Sequence, residues 1–181
     1  MKLYLIRHGE SENNIKKVYT GWMDVSLTEK GFADARGIRP LLERVRFDKI
    51  YTSDLLRAKQ TAQTAIPDCV CEETPLLREI NVGDAAGVHY SKITVQNHDF
   101  TPYHGENDVA FYARVKQFMD KALQSGAENV AAFTHAGVLR AVLCTVLQAK
   151  IAGANFFCGN CTTAIFDYTD GKWRLQSWIT P

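Results

Sequence analysis

The chain has 181 residues, of which 46% are hydrophobic and 23% charged, and these values exclude a disordered, collagenous or coiled-coil protein. Its 21 basic and 20 acidic side chains leave a formal net charge of +1, so no general field attracts nucleic acid or an anionic membrane. Any anion therefore has to be bound locally, by a few arginines that converge on one place.

The five cysteines form an odd set, which argues against the disulfide framework of a secreted protein. The first apolar segment, residues 3–6, is too short for a signal peptide, and no apolar run approaches the length of a membrane span. We therefore expect a soluble cytoplasmic protein that folds as a single domain over residues 1–181.

The first two elements are a strand and a helix. Residues 2–6 are apolar and predict a strand that ends at Arg7-His8-Gly9. Thr28 is a predicted N-cap, and apolar residues recur after it at helical spacing. Gly37 and Pro40 interrupt this pattern, so we expect a break in the helix there.

A second strand and two further helices follow. Residues 50–52 predict a short strand, after which Ser53 is the predicted cap of a helix that ends at Pro67. Residues 109–123 form a long amphipathic helix pattern. The stretch between them, from about residue 83 to 103, has no clean period and predicts a long functional loop or small cap.

The last third of the chain predicts a buried strand, a helix and a hairpin. Residues 130–134 are a buried-strand pattern, and 138–147 predict a helix. Asp170-Gly171 separates two strand patterns, 163–168 and 173–179, as in a hairpin. The alternation of strands and helices predicts an α/β fold, a three-layer sandwich in which helices flank a mixed, mostly parallel sheet.

Three of the predicted junctions carry charged or titratable residues. Arg7 and His8 follow the first strand, Arg57 lies early in the helix after Ser53, and His135 follows the strand at 130–134. Ligands of open α/β sheets bind beyond the carboxyl ends of strands, where helix N-termini favour anions. Two arginines and two histidines in one place are typical of a phosphate site, since arginine matches phosphate oxygens and neutral histidine is a competent nucleophile.

Glu79 is the candidate proton donor for the leaving alcohol of such a site. Spacing alone leaves ordinary alternatives open. Arg7 fits an ion pair, Arg57 fits a solvated helix position, and His135 fits a hydrogen-bonded structural role.

Five segments resemble the blocks of the histidine phosphatase superfamily, also called phosphoglycerate-mutase-like, and they occur in order over almost the whole chain. They are Leu5-Ile6-Arg7-His8-Gly9-Glu10-Ser11 with Tyr19-Thr20-Gly21-Trp22 and Leu27-Thr28-Glu29-Lys30-Gly31, then Ser53-Asp54-Leu55-Leu56-Arg57-Ala58, Leu77-Arg78-Glu79, Gly105-Glu106, and Thr134-His135-Ala136-Gly137 with Leu139-Arg140. The resemblance implies the phosphoglycerate-mutase-like fold.

The resemblance also implies a mechanism. His8 attacks phosphorus, Glu79 protonates the leaving group and then helps water, and Arg7, Arg57 and His135 hold the phosphoryl oxygens. The pocket that binds phosphate and substrate is completed by Asn14, Thr20, Gly21 and the backbone of Ala136. The implied chemistry needs neither a metal nor a cofactor, because arginines supply the positive charge.

The family contains both phosphatases and mutases, and three features favour a phosphatase. The chain is short, Val82 replaces the tyrosine of the mutases, and Ala136-Gly137-Val138 replaces their Gly-Asn-Ser. The Tyr19-Thr20-Gly21-Trp22 segment is mutase-like and points the other way. Ala85-Ala86-Gly87 departs from the Trp-Glu-Gly of many phosphatases, which leaves Glu79 as the best proton donor.

Other signals have ordinary readings. Cys158-Gly-Asn-Cys161 has metal-ligand spacing, but without a second matching pair we expect buried residues at strand edges. We expect His98 in a polar surface loop, and His89, Tyr103 or His104 at the leaving-group side of the pocket. Trp22 is interpreted as a pocket wall or a core residue.

The sequence therefore predicts a metal-independent phosphomonoesterase that acts through phosphohistidine. Candidate substrates are α-ribazole phosphate, sugar phosphates and phosphoglycerates. The alternatives are a phosphoglycerate-type mutase and a non-catalytic binder of phosphorylated ligands. The expected partner is a small phosphorylated metabolite, without nucleic acid or membrane, and the sequence leaves the oligomeric state undetermined.

Overall fold

A computed structural model describes residues 1–95, 98–149 and 156–181. Its centre is a six-stranded sheet built from β1 (Lys2–Arg7), β2 (Lys49–Ser53), β3 (Glu72–Thr74), β4 (Asn129–Thr134), β5 (Thr163–Thr169) and β6 (Lys172–Ile179). The strand order is β3-β2-β4-β1-β5-β6. The strands β1 to β4 are parallel, and β5 and β6 are antiparallel additions beside β1. The predicted mixed, mostly parallel sheet is confirmed.

Helices cover both faces of the sheet. They are α1 (Glu12–Lys16), α2 (Glu29–Gly37), α3 (Arg39–Leu42), α4 (Leu56–Ala65), α5 (Asp108–Gln124) and α6 (Ala136–Leu147). Leu3 and Leu5 of β1 pack into a core with α5 and α6, whereas Tyr4 and Ile6 pack into a second core with α2, α3 and α4. This alternation along one strand produces the expected three layers, since successive side chains point to opposite faces.

Two predictions for the early helices have different outcomes. The break near Gly37 is confirmed, because α2 ends at Gly37 and α3 begins at Arg39. Thr28 caps α2, and its hydroxyl accepts a hydrogen bond from the N–H of Gly31. The predicted cap at Ser53 is wrong: α4 begins at Leu56, and Ser53 is the last residue of β2.

The predicted terminal hairpin is confirmed. Asp170 and Gly171 both have positive φ, 53° and 73°, as a primed two-residue turn requires. Within the described ranges, none of the helices combines the length and apolarity that crossing a bilayer requires.

The aperiodic stretch contains three short 3-10 turns in its described part: Gly83–Ala85, Tyr90–Lys92 and Thr101–Tyr103. Turns this short leave no helical or strand period in the sequence. Gly83 ties the first turn to the last, because a β-carbon at this position would lie 1.8 Å from the carbonyl oxygen of Tyr103. Its φ of 53° also favours glycine. The described part of the stretch therefore packs into a small cap.

Candidate active site

The register of the two central strands brings the two predicted histidines together. Arg7 of β1 pairs with Thr134 of β4, so the next residues, His8 and His135, leave the sheet side by side. Their ring centroids are 5.2 Å apart. After β1 the chain enters the helical layer of α2, and after β4 it enters the opposite layer of α6. This divergence opens a crevice at the carboxyl ends of the strands, where α/β proteins bind ligands.

His8 is held as a neutral imidazole with a defined free nitrogen. Its Nδ1 lies 2.7 Å from the carbonyl oxygen of Gly9, so Nδ1–H is the donor and the lone pair lies on Nε2. Burial holds the pKa of His8 well below its usual range, and the charges of Arg57 and Arg7 lower it further. An uncharged imidazole with a free lone pair is what nucleophilic attack requires.

The two arginines are anchored by backbone carbonyls rather than by acidic side chains. The two terminal nitrogens of Arg57 donate to the carbonyl oxygens of Gly21 and Met23, each at 2.9 Å. Arg7 donates through Nη1 to the carbonyl oxygen of Cys158. Burial lowers the pKa of Arg57 to about 10, which still leaves it charged at neutral pH. The arginine charges are therefore available to an anion.

His135 is wholly buried behind His8. Its Nε2 lies 2.9 Å from the hydroxyl of Ser53, the residue predicted as a helix cap. Burial holds the pKa of His135 well below its usual range, and the charges of Arg57 and His8 lower it further. His135 is not among the described residues that border the cavity, whereas His8 is.

Several buried nitrogens of the predicted site residues have no hydrogen-bond partner. Among the described residues, the buried side-chain nitrogens without a hydrogen-bond partner include Nε of Arg7, Nε of Arg57 and Nδ1 of His135; Nε of Arg39 is the remaining one. Buried donors are almost always satisfied, because leaving one unpaired costs about 1–3 kcal/mol. The Nε–H groups of Arg7 and Arg57 fit a phosphate, whose oxygens accept several hydrogen bonds at once. Nδ1 of His135 is a donor only in the tautomer whose Nε2 accepts from the hydroxyl of Ser53.

Glu79 faces the same cavity from the loop after β3. Its two carboxylate oxygens accept hydrogen bonds from the N–H groups of Ile80, at 2.9 Å, and Gly137, at 3.2 Å. A β-carbon at position 137 would lie 2.1 Å from Oε1 of Glu79. The first turn of α6 must therefore carry a glycine here for the carboxylate to keep its position.

Arg114 supports the loop of Glu79, and the sequence interpretation missed it. Its guanidinium donates to the carbonyl oxygens of Leu76, Arg78 and Glu79, at 2.9–3.1 Å, and pairs with the carboxylate of Glu106 at 2.8 Å. The signal available in the sequence was only a polar residue on the buried side of α5.

Trp22 holds the same loop from the outside. Its indole N–H donates to the carbonyl oxygen of Glu79 at 2.8 Å, and the guanidinium of Arg78 stacks on its ring at 4.7 Å. Trp22 is 37% exposed and does not border the cavity in the described part of the chain. Both expected roles, pocket wall and core residue, are therefore wrong.

The remaining predicted residues lie where expected. Asn14, Thr20, Gly21 and Ala136 all border the cavity. The segment of Cys158 and Cys161 contributes Asn160, whose amide donates to the carbonyl oxygen of His8 at 3.1 Å and to Oδ1 of Asn14 at 3.2 Å. Both cysteines are buried thiols. In the part of the chain that the structure describes, no cluster of His, Cys, Asp or Glu is arranged as a metal site.

The leaving-group end of the cavity differs from the prediction. The cavity has a volume of about 310 Å³, and its lining also includes Tyr90, His98, Phe100, Arg140 and Phe156. His98 lies in a turn and is partly exposed, as a loop residue would be, but it also borders the cavity, which was not expected. The expectation for three other residues is wrong, because none borders the cavity: His89 caps the turn at Tyr90–Lys92, Tyr103 packs against the core, and His104 is exposed and pairs with Asp84. Turn conformation, which spacing does not encode, decides which side chains point inwards.

Known proteins resemble this chain in sequence and structure. The sequence profile described as "Histidine phosphatase superfamily (branch 1)" matches residues 3–181. The adenosylcobalamin/alpha-ribazole phosphatase of Salmonella typhimurium is 31% identical over 84% of this chain and 82% of its own. The 2,3-bisphosphoglycerate-dependent phosphoglycerate mutase of Xanthobacter autotrophicus is 32% identical over 80% of each chain. The crystal structure of the alpha-ribazole phosphatase from Shigella flexneri superposes with a TM-score of 0.85 at 25% identity, covering 98% of this chain and 96% of its own.

Proposed function

Because the chain belongs to the histidine phosphatase superfamily and is a phosphomonoesterase, we propose that it hydrolyses a small phosphate ester in two steps through a phosphohistidine at His8. In the first step, Nε2 of His8 forms a bond to phosphorus while the bond from phosphorus to the ester oxygen breaks. Glu79 gives a proton to that oxygen, so the alcohol leaves uncharged. The backbone carbonyl of Gly9 stabilises the positive charge that develops on the imidazole.

The second step returns His8 to its starting state. Glu79, now ionised, accepts a proton from water, and the water oxygen attacks phosphorus. The bond from phosphorus to Nε2 breaks, and inorganic phosphate leaves. The sum of both steps is ester plus water to alcohol plus phosphate.

One observation carries this proposal: Arg7 and Arg57, each with a buried Nε–H that has no hydrogen-bond partner, border the same cavity as His8, which burial keeps neutral. Donors fixed in place stabilise the charge of the transferring phosphoryl group without reorganisation during the reaction. Arg7 and Arg57 together supply two positive charges, the role that Mg²⁺ has in other phosphoryl-transfer enzymes. The reaction is therefore proposed to be metal-independent.

The substrate is proposed to be a compact phosphate ester. A cavity of about 310 Å³ lies at the small end of ligand pockets, which run from roughly 300 to 1,000 Å³. Alpha-ribazole phosphate is one candidate, by analogy with the Salmonella relative. The cytoplasm is the proposed location, because all five cysteines are free thiols, the state that a reducing compartment maintains.

The test uses purified protein with EDTA and a panel of p-nitrophenyl phosphate, α-ribazole phosphate, 3-phosphoglycerate and sugar phosphates. Phosphate release that survives EDTA and is lost in His8→Ala supports the proposal. Conversion of 3-phosphoglycerate to its isomer after priming with a bisphosphoglycerate, without phosphate release, indicates the mutase instead. Release that EDTA abolishes and Mg²⁺ restores contradicts the metal-independent mechanism.

A further inference from the structure

Arg140 is a buried cation in the cavity that neither step of the proposed reaction uses. It lies on α6, one turn after Ala136, and borders the same cavity as Arg7 and Arg57. Its side chain is 7% exposed. Burying a guanidinium is costly unless its charge and its N–H donors are matched, so its position needs an explanation.

Within the described residues, Arg140 is only partly satisfied. Its guanidinium makes one hydrogen bond there, from Nη2 to Oδ1 of Asp108, and this bond is long, at 3.3 Å. The side chain of Asp108 is 36% exposed, so water solvates the carboxylate and weakens the pair. An arginine has five N–H donors in a rigid fork, and most of them remain for another acceptor. Asp108 therefore neutralises the guanidinium only in part.

The neighbourhood of Arg140 fits the end of a small substrate. His98 borders the same cavity, and burial and the charge of Arg140 lower its pKa, so the His98 ring is neutral. Tyr112 lies under the guanidinium at 6.0 Å, which supports its plane from α5. This part of the cavity lining thus contains one positive charge and one neutral imidazole among aromatic side chains.

We propose that Arg140 binds a carboxylate of the substrate, so that the ester carries a carboxylate within a few bonds of its phosphoryl group. The inference rests on the proposed function and narrows its substrate class. Charge matching favours a carboxylate over a second phosphate: Arg7 and Arg57 balance the dianionic phosphoryl group, and the single Arg140 balances one more negative charge. The guanidinium fork also matches two carboxylate oxygens.

Two matched pairs of esters test this proposal. O-phosphoserine is compared with O-phosphoethanolamine, which lacks only the carboxylate, and 3-phosphoglycerate with glycerol 1-phosphate. The measured quantity is the ratio of kcat/KM within each pair. The protein is expected to prefer the carboxylate in at least one pair, and R140Q is expected to lower that ratio about 10-fold or more, as for loss of a charge-assisted hydrogen bond.

Asp108→Asn is the matched control, because it removes the ion pair with Arg140 and leaves Arg140 itself in the cavity. It is expected to lower the melting temperature about as much as R140Q while keeping the selectivity ratio within about 3-fold. An equal fall of the ratio in D108N and R140Q would overturn the proposal, since Arg140 would then act only through folding.

The outcomes separate the two proposals. Hydrolysis of p-nitrophenyl phosphate without a preference in either pair would overturn the carboxylate site and leave the phosphatase mechanism intact. Hydrolysis of none of the five esters, in the parent as in His8→Ala, would contradict the proposed function itself, and the inference would fail with it.

Discussion

The two ends of the cavity are built by different means. At the phosphoryl end, the residues leave the carboxyl ends of β1 and β4 or lie in the first turn of α4, and His8, Arg57 and His135 are each at most 4% exposed. At the leaving-group end, the wall comes from Tyr90, His98 and Phe100 in the turn-rich segment before α5, from Arg140 on α6 and from Phe156. Strand register fixes the first end, and turn packing fixes the second.

This difference separates chemistry from selectivity. A strand pair places its side chains within the tolerance that phosphoryl transfer needs, because the register cannot shift without turning the strand's apolar residues out of the core. Residues in short turns can be substituted without disturbing the sheet, and such substitutions can change which ester the cavity accepts. Changes at the phosphoryl end are expected to lower activity on every ester, and changes at the other end to redistribute it.

The largest effect is expected for His8→Ala. Loss of the nucleophile should lower kcat/KM for every ester by about 10⁴-fold or more, as for nucleophiles of other covalent mechanisms. Phosphate release is the measurement. The cradle of Arg7 and Arg57 remains, so inorganic phosphate should still raise the melting temperature of the variant, which serves as the control for folding. A variant that retains a tenth of the parent rate would contradict the assignment.

Glu79→Gln should show a loss that depends on the leaving group. Alkyl phosphates need a proton on the departing oxygen, so their kcat/KM should fall by about 10²–10⁴-fold. p-Nitrophenolate leaves without needing a proton, so kcat/KM for p-nitrophenyl phosphate should fall much less. The two esters are measured side by side. Equal losses for both would show that Glu79 does not act as the acid.

A smaller effect is expected for Arg114→Met, which removes the donors under the Glu79 loop. The free energy of unfolding should fall by about 3 kcal/mol, because Glu106 loses its partner in a mostly buried pair. Activity on alkyl phosphates should fall more than activity on p-nitrophenyl phosphate, since the misplaced group is the acid. Urea unfolding measures the free energy of unfolding, and kcat/KM for each ester measures the loss of activity.

Lys116→Met on the same helix is the control for Arg114→Met. Lys116 pairs with Asp120 on the surface, where both side chains are about half exposed or more, so its loss should change little. If the two variants behaved alike, the support of the Glu79 loop by Arg114 would be disproved.

The smallest effect is a dependence of stability on pH. The folded pKa values of His8 and His135 lie below the usual range, so below about pH 6.5 the unfolded chain binds more protons than the folded one. The free energy of unfolding should therefore decrease from pH 7.5 to pH 5.5, and less so in His8→Ala. Urea titrations at the two pH values measure it, and a parent more stable at pH 5.5 would contradict the assignment.

The sheet and the phosphoryl end were predictable because local sequence dictates them. Residues 2–6 and 130–134 are apolar runs with polar residues directly after them, which marks both the strands and their ends. The Asp170-Gly171 turn has residues that tolerate positive φ. In each case a few neighbouring residues carry the whole signal.

The rest depends on contacts between distant residues. Ser53 reads as a cap, but its hydroxyl contacts His135, 82 residues later. His98 and His104 both lie in or beside the aperiodic stretch, yet one borders the cavity and the other is exposed, because the local turn conformation orients them differently. The sequence pattern of α5 does not distinguish Arg114 from other polar residues of the helix. Its role depends on the carbonyl oxygens of the Glu79 loop, which only the folded structure brings beside it.

In the proposed mechanism, His8 carries the phosphoryl group between substrate and water. The direct measurement is a rapid-quench reaction of Glu79→Gln with p-nitrophenyl phosphate, because this ester forms the intermediate without the acid and the variant lacks the base that activates water. We predict a burst of about one p-nitrophenol per enzyme, with an acid-labile, base-stable phosphoryl group on the peptide that contains His8. A reaction without a burst and without label, or a label on another residue, would contradict the mechanism through a phosphohistidine at His8.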